Sequence, residues 1–474
     1  MNHSGRLRKH RYESGETNML THFTRRQWLQ GAAAAGAAWT IVPRHVLGGE
    51  NQTPPSERIG VGCIGVGGRG AYVGNLACAL GNKVAAADVD RQRAERFAGS
   101  GPCVASTDYR ELLERDDVDV VTVGTPDHWH TKICIEAMKA GKDVFCEKPL
   151  TLTIDEGKKL CQVVRDTGRI LQVGTQQRSS AQFLLAIAIA QSGRLGKRIK
   201  ATCGIGGGPG GGVFPTADPP GHLNWDAWLG QCPVVHYTPQ RCHGSFRWWL
   251  EYSGGQITDW GVHHLDIAQW ALGYDLSGPV EADGRGQFPN FPDNVDPVDF
   301  FAGRAKLPNG FNTATTFDVT VTFANGSSIV IKPGENGIVL EGEDGRILVN
   351  RGRITGKPIE ELTAADRQRL ADEIVKLYKG RPIDPESVAT GGTNSGIDQA
   401  SVELMANFFA SVRDRQQPIS DAFTHHRSVS SCHLCNIAML LRRKLRWDPE
   451  KEDFIGDAQA SELVSRPQRE PYAI

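Results

Sequence analysis

The chain has 474 residues, enough for two domains with substantial cores, and its 53 basic and 54 acidic side chains nearly cancel. No basic tract stands out beyond the first residues, which argues against a nucleic-acid partner. No run approaches the roughly 18 apolar residues of a membrane span.

The chain opens on a leader, residues 1–48. Thr24-Arg25-Arg26-Gln27-Trp28-Leu29 precedes a mild Gly/Ala-rich apolar stretch over residues 31–42, the pattern of a twin-arginine export signal. An ordinary basic N-terminal helix is the alternative. The export reading makes the twin-arginine translocase a partner and the destination periplasmic or otherwise outside the cytoplasm. No small-x-small cleavage site follows, which leaves cleavage open. The polar segment before Met19 makes that residue a second candidate start.

Pro54-Pro55 ends the leader, and residues 56–175 change character. Short apolar runs at 59–64, 84–87, 118–123, 143–146 and 170–173 alternate with helical stretches, which predicts βαβ units and a parallel sheet. The first run leads into Gly65-Val66-Gly67-Gly68-Arg69-Gly70. In such a loop Gly65 permits a tight turn, Gly67 lets backbone approach a pyrophosphate, and Gly70 lets helix pack on strand. The helix N-terminus then offers free N–H groups and a partial positive charge to the phosphates. The next run ends at Asp88, about 20 residues past the last glycine, where a carboxylate accepts from a ribose 2′-OH. Asp88 favours NAD because it repels a 2′-phosphate; Arg91 softens that preference, so NADP stays open. Thr125-Pro126 and Glu147-Lys148-Pro149 fall at the carboxyl ends of later strands, where ligands of open α/β sheets bind.

After Gly174 a second, α+β region covers residues 176–445. Residues 204–212 read as a flexible glycine-rich surface loop. An aromatic-dense segment follows, with Trp225, Trp228, Tyr237, Phe246, Trp248, Trp249 and Tyr252. Residues 258–272 are apolar-periodic and close on Gly273, so Asp259 and His263 share one helix face; His264 and Asp266 extend the cluster. Runs at 317–323 and 328–332 flank Asn325-Gly326, and runs at 338–341 and 347–350 flank Asp344-Gly345, both hairpin signals. Cys432-His433-Leu434-Cys435 lacks a second Cys pair and sits in an apolar helical stretch, so core packing is favoured over zinc. A chain that folds before export keeps its 11 cysteines mainly as buried thiols. Residues 446–474 are polar and proline-punctuated, which predicts an extended tail over the surface.

The glycine loop, Thr125-Pro126-Asp127-His128-Trp129-His130, Glu147-Lys148-Pro149 and the Asp259/His263 helix together resemble the glucose-fructose oxidoreductase, inositol dehydrogenase and rhizopine-catabolism (Gfo/Idh/MocA) family, from about residue 58 onward. The resemblance implies an α/β chain with a Rossmann domain and an α+β domain carrying a mostly antiparallel open sheet. It further implies a homodimer or homotetramer formed through that sheet, His130 near the nicotinamide, and a cis Lys148–Pro149 bond. Gly65, Gly67, Gly68, Arg69, Gly70, Asp88, Thr125, Pro126, His130, Glu147 and Lys148 are then the cofactor-binding set.

The expected activity is exchange of a hydride between bound NAD(P) and a secondary alcohol of a sugar, glycoside or cyclitol. Lys148 is expected to hydrogen-bond the reacting hydroxyl and His263 to take its proton. Asp259 orients His263, binds a sugar hydroxyl or caps the helix. Arg178, Arg241, Trp248 and His264 are candidate substrate contacts, with core packing or ion pairing as the alternative for each. Catalytic zinc lacks a third ligand, so no metal is expected. Three other readings share these motifs: a glycoside hydrolase or epimerase that recycles bound NAD, a carbohydrate-binding protein with a structural cofactor, and a metal-dependent hydrolase. Outside the cytoplasm no NAD pool exists, so an exported enzyme has to keep its cofactor bound and regenerate it in place.

Overall fold

Strands buried on both faces read as continuous apolar runs, and the first sheet is built from them. The computed structural model describes residues 58–378 and 397–474; the leader, with Met19, Arg25 and Arg26, lies outside the described residues. The strands β1 (Gly60–Ile64), β2 (Asn82–Ala87), β3 (Val104–Ser106), β4 (Val120–Val123), β5 (Asp143–Cys146) and β6 (Leu171–Val173) form one sheet in the order β3-β2-β1-β4-β5-β6. All pairings in it are parallel. The order reverses between β1 and β4, the crevice where open α/β sheets bind ligands. Five of the six strands coincide with the apolar runs. The three-residue β3 was not foreseen, because its exposed Val104-Ala105 carries too little apolar pattern.

The second sheet has nine strands. They are β7 (Ile199–Ile205), β8 (Glu281–Gln287), β9 (Thr316–Thr322), β10 (Ser328–Pro333), β11 (Gly337–Gly342), β12 (Arg346–Val349), β13 (Ile354–Thr355), β14 (Leu445–Asp448) and β15 (Asp453–Phe454), ordered β13-β12-β11-β7-β10-β9-β8-β14-β15. Both foreseen hairpins form, β9–β10 and β11–β12. Gly326 takes φ +85° in the first, a conformation that favours glycine. Only the β7–β10 pairing is parallel, because β7 arrives from far away in sequence and wedges between the hairpins. One face of the sheet packs on the helices Ala181–Gln191, Val262–Ala271 and Ala422–Leu441. The first of these is apolar nearly all round and almost wholly buried.

Two expectations are corrected here, the first in part. Gly204 lies in β7, and residues 206–212 form the expected irregular surface stretch but are held at several points. The Gly208 N–H donates to the Thr315 carbonyl at 3.0 Å, and a Cβ on Gly207 or Gly211 would meet Thr315 O at 2.6 Å or the Phe311 ring at 2.7 Å. The segment after residue 445 is not a surface tail. It adds β14 and β15 to the sheet and buries Trp447, Phe454, Ala460, Leu463 and Val464. All 11 cysteines are free thiols and all but Cys78 are buried; Cys432 and Cys435 pack in the core.

The elements around the second core are tied by one buried ion pair. Arg178, in the 3₁₀ turn Gln176–Ser179, donates from Nε and Nη2 to the two carboxylate oxygens of Asp266 on helix Val262–Ala271, both at 2.7 Å. Ser428 Oγ on helix Ala422–Leu441 donates to the same carboxylate at 2.7 Å. Removing one partner would strand the other charge without water. Arg178→Gln is therefore expected to lower the unfolding free energy by about 3–5 kcal/mol in urea titration, while Lys200→Ala on an exposed strand position changes it by less than about 0.5 kcal/mol.

Candidate active site

Glycines build the first wall. Gly65 follows β1 with φ +73°, and a Cβ on Gly70 would lie within 1.8 Å of the Gly65 carbonyl oxygen, so the turn and the helix Gly68–Leu80 pack backbone to backbone. A Cβ on Gly124, past β4, would meet the Gly70 Cα at 2.4 Å. Gly68 has open space where a Cβ would point, on the lining of a cleft of about 800 Å³. Asp88, at the end of β2, lines the same cleft and accepts N–H bonds from Val66 at 3.0 Å and Asp90 at 2.9 Å. Burial pushes its carboxyl up to about 6, against the pull of those N–H groups and of Arg93. An acceptor pair deep in a glycine-lined cleft, one strand from a helix N-terminus, fits a ribose and pyrophosphate.

The loops after β4 and β5 meet across His130. Its Nδ1 lies 2.6 Å from the Pro149 carbonyl oxygen and its Nε2 2.9 Å from that of Thr125. The Lys148–Pro149 peptide is cis, as the resemblance implies. Glu147 Oε1 accepts from Arg69 Nε at 2.8 Å. All of the expected cofactor residues, from Gly65 to Lys148, line this one cleft.

The opposite wall comes from the second sheet's side. Lys148 Nζ donates to Asp259 Oδ1 at 2.7 Å and to the Asp259 carbonyl oxygen at 2.8 Å. Arg247 Nε donates to the same Oδ1 at 3.1 Å. Burial alone would raise the Asp259 carboxyl, but Lys148 and Arg247 outweigh it and hold it down at about 2. His263 lines the cleft; burial first, then Lys148 and Arg351, keep its imidazole neutral far below its usual range, and its buried Nδ1 has no hydrogen-bond partner among the described residues.

Asp259 does not hydrogen-bond His263 or cap the helix. The helix starts earlier, and Asp259 lies within a π-helical turn, Ile257–Gly261, that precedes Val262–Ala271. Such turns recur at functional sites because they re-aim side chains. Asp259 is a partner of two cations instead.

None of the four candidate substrate contacts is among the residues that line this cleft. Arg178 is the buried partner of Asp266. Arg241 pairs with Glu251 at 2.8 Å, stacks 3.7 Å from the Trp249 ring centroid, and lines a separate cavity. Trp248 is half-buried at the end of a 3₁₀ turn, outside the cleft lining. His264 is buried, its Nε2 2.9 Å from Asn336 Oδ1 and its Nδ1 3.3 Å from Gln177 Nε2, and burial pushes it down to about 4. No group of three or more metal-ligating side chains occurs among the described residues.

Several lining residues carried no sequence signal: Arg247, Trp260, His243 and Arg351. Asp127, read only as part of its motif, is buried under a 2.5 Å bond from Ser253 Oγ, and burial pushes it up to about 7. The aromatic-dense segment forms a clasp over the nucleotide end. Arg91 N–H donates to the His222 carbonyl and Asn224 N–H to the Val89 carbonyl, each at 2.9 Å, just beyond Asp88. Trp228, Phe246 and Arg247 then roof the cleft.

Two family models match the chain: the oxidoreductase family's NAD-binding Rossmann fold over residues 59–175, and its C-terminal alpha/beta domain over residues 210–300 and 397–474. The chain is 26% identical over 315 residues to the 1,5-anhydro-D-fructose reductase of Ensifer adhaerens, covering 65% of this chain and 80% of the relative. It is 34% identical over 145 residues to the inositol 2-dehydrogenase of Rubrobacter xylanophilus, covering 30% of this chain but only 42% of that relative. A solved levoglucosan dehydrogenase, in complex with NADH and levoglucosan, shares the fold at TM-score 0.56 and 18% identity, over 82% of this chain and 99% of that one.

The position of Asp88 makes nucleotide affinity pH-dependent. A ribose diol donates to the ionised carboxylate, so binding strengthens as pH rises through about 6. Calorimetric titration of nucleotide-free protein with NAD is expected to show affinity falling about tenfold from pH 7 to pH 5, and Asp88→Asn is expected to flatten that profile.

Proposed function

Because the chain belongs to the Gfo/Idh/MocA oxidoreductase family, we propose that it oxidises or reduces a secondary alcohol of a sugar, glycoside or cyclitol with NAD as the redox partner. The observation that carries this reading is the contact of Lys148 with Asp259 at the floor of the glycine-walled cleft, beside a neutral His263. The named activities of the relatives, on inositol, 1,5-anhydro-D-fructose and levoglucosan, support a cyclic polyol as substrate class. NAD, when bound, supplies the acceptor or donor of the hydride.

The chain's own groups handle the proton and the geometry. Two Lys148 protons are engaged by Asp259, which leaves a third to donate to the substrate hydroxyl oxygen. That contact stabilises developing alkoxide character. Asp259, held ionised by two cations, fixes the ammonium in place. His263, neutral at physiological pH, accepts the hydroxyl proton. Glu147 and Arg69 brace the loop that presents Lys148. Asp88 favours NAD over NADP, because a 2′-phosphate would bring its charge against the carboxylate.

We further propose that the protein is exported through the twin-arginine pathway with its cofactor aboard. Arg25-Arg26 and the apolar stretch after them support export. The backbone bonds at residues 91 and 224, which tie the aromatic segment to the chain just beyond Asp88, support retention. A homodimer or homotetramer through the open face of the nine-stranded sheet is the proposed assembly; its support is the family resemblance and the half-buried Thr202, Thr320, Val339 and Leu348 on that face.

The test starts from protein purified from its native compartment. Denaturation is expected to release stoichiometric NAD, and a panel of sugars and cyclitols to raise a stable 340 nm band in the intact protein. No released nucleotide, with turnover only on added NAD, would contradict cofactor retention. Lys148→Met and His263→Asn should each slow the appearance of the band by about 10²–10⁴-fold while the nucleotide stays bound. Normal rates in both variants would remove the proton-transfer assignment.

A further inference from the structure

The catalytic end of the cleft is rich in cations, and their partners can be followed one by one. Lys148 and Arg247 share Asp259. Arg69 holds Glu147. Arg351 also lines the cleft, yet it has no carboxylate within 4.0 Å among the described residues, and its buried Nε has no hydrogen-bond partner there. Its guanidinium lies 4.4 Å from the Trp260 ring centroid, and the Trp260 and His263 rings stand edge to face at 6.1 Å. Arg351, Trp260 and His263 thus form a row on the wall facing the glycine loop.

The placement is built, not loose. Arg351 sits at the tip of the β12–β13 hairpin, where Asn350 N–H donates to the Arg353 carbonyl oxygen at 2.9 Å. The Asn350 side-chain oxygen accepts from the Gly352 and Arg353 N–H groups, both at 2.9 Å. Burial and the nearby Arg69 lower the guanidinium to about 10, which leaves it charged at neutral pH. An unpaired charge partly withdrawn from water is costly unless a ligand completes it.

We infer that Arg351 is a specificity residue that receives a carboxylate of the substrate, so that the ring alcohol oxidised here belongs to an acidic sugar such as a uronate. This rests on the oxidoreductase reading above and names its substrate class. A planar guanidinium matches a carboxylate with two parallel N–H bonds. The cofactor's pyrophosphate is the competing source of negative charge. It is served by the opposite wall, where the helix N-terminus and the glycine loop face it, with Arg93 against Gly67. Trp260 beside Arg351 offers an apolar face to the sugar ring.

The experiment uses the NAD-loaded full chain with D-glucuronate and D-galacturonate against D-glucose, D-galactose and myo-inositol. Binding is read by tryptophan fluorescence and reaction by the 340 nm band. The acids are expected to bind about 10–100-fold more tightly than the neutral sugars. Arg351→Gln should bring acid affinity down to that of the neutral sugars, and Arg351→Lys should recover part of the advantage. Equal affinity for acids and neutral sugars, or an Arg351→Gln variant that sheds NAD without altering acid binding, would overturn the inference. Acid binding that depends on Arg351 without any 340 nm band would leave the inference standing and defeat the oxidoreductase reading instead.

Discussion

One ammonium group holds the two walls of the cleft in register. Lys148, at the mouth of the parallel sheet, donates to both the carboxylate and the main-chain oxygen of Asp259, 111 positions away on the other wall. Each group is useful only because the other is there. Without Asp259, Lys148, whose side chain is only 13% exposed, would be a largely desolvated cation without a carboxylate partner. Without Lys148 and Arg247, burial would drive Asp259 toward its protonated form. The π-helical turn that carries Asp259 matters for the same reason, since it lets the helix begin early enough to present the carboxylate to Lys148 and the imidazole of His263 to the cleft.

Charge is distributed unevenly along this cleft. At the nucleotide end a carboxylate, Asp88, is kept by burial near the edge of ionisation and waits for hydroxyl donors. At the chemical end the cations are in excess: Lys148 and Arg247 share the Asp259 carboxylate, Arg69 pairs with Glu147, and Arg351 has no carboxylate partner among the described residues. Burial first, and then those cations, keep His263 unprotonated and therefore an acceptor. The same cations favour an alkoxide over an alcohol. A site arranged this way is more complementary to the charge that develops in the reaction than to a neutral ground state.

The Rossmann half was legible in the chain because its information is local. Glycines at fixed offsets, apolar runs of strand length and a strand-ending acid each act over a few residues, and every expected cofactor residue falls on one cleft. The second half was less legible. Strand β7 pairs with partners more than 100 positions away, and β8 is a polar, glycine-bearing strand whose Gly284 is needed because a Cβ would strike Val319 at 2.5 Å. Three of the substrate candidates prove to have partners inside the chain. Arg178, Arg241 and His264 are polar residues in suggestive neighbourhoods, but a sequence does not reveal that Asp266, Glu251 and Asn336 already satisfy them. Arg247 and Arg351 escaped notice for the converse reason, since only the fold brings them to the cleft.

The central claim is that a ring C–H of a polyol passes its hydride to nicotinamide within this cleft. Its most direct test is isotopic. The NAD-loaded protein is mixed with perdeuterated sugars, stopped after one turnover, and the released nucleotide is weighed by mass spectrometry and mapped by NMR. The account predicts one deuterium at the nicotinamide C4 position, lost in the Lys148→Met variant. Conversion of the sugar with an unlabelled nucleotide would contradict it.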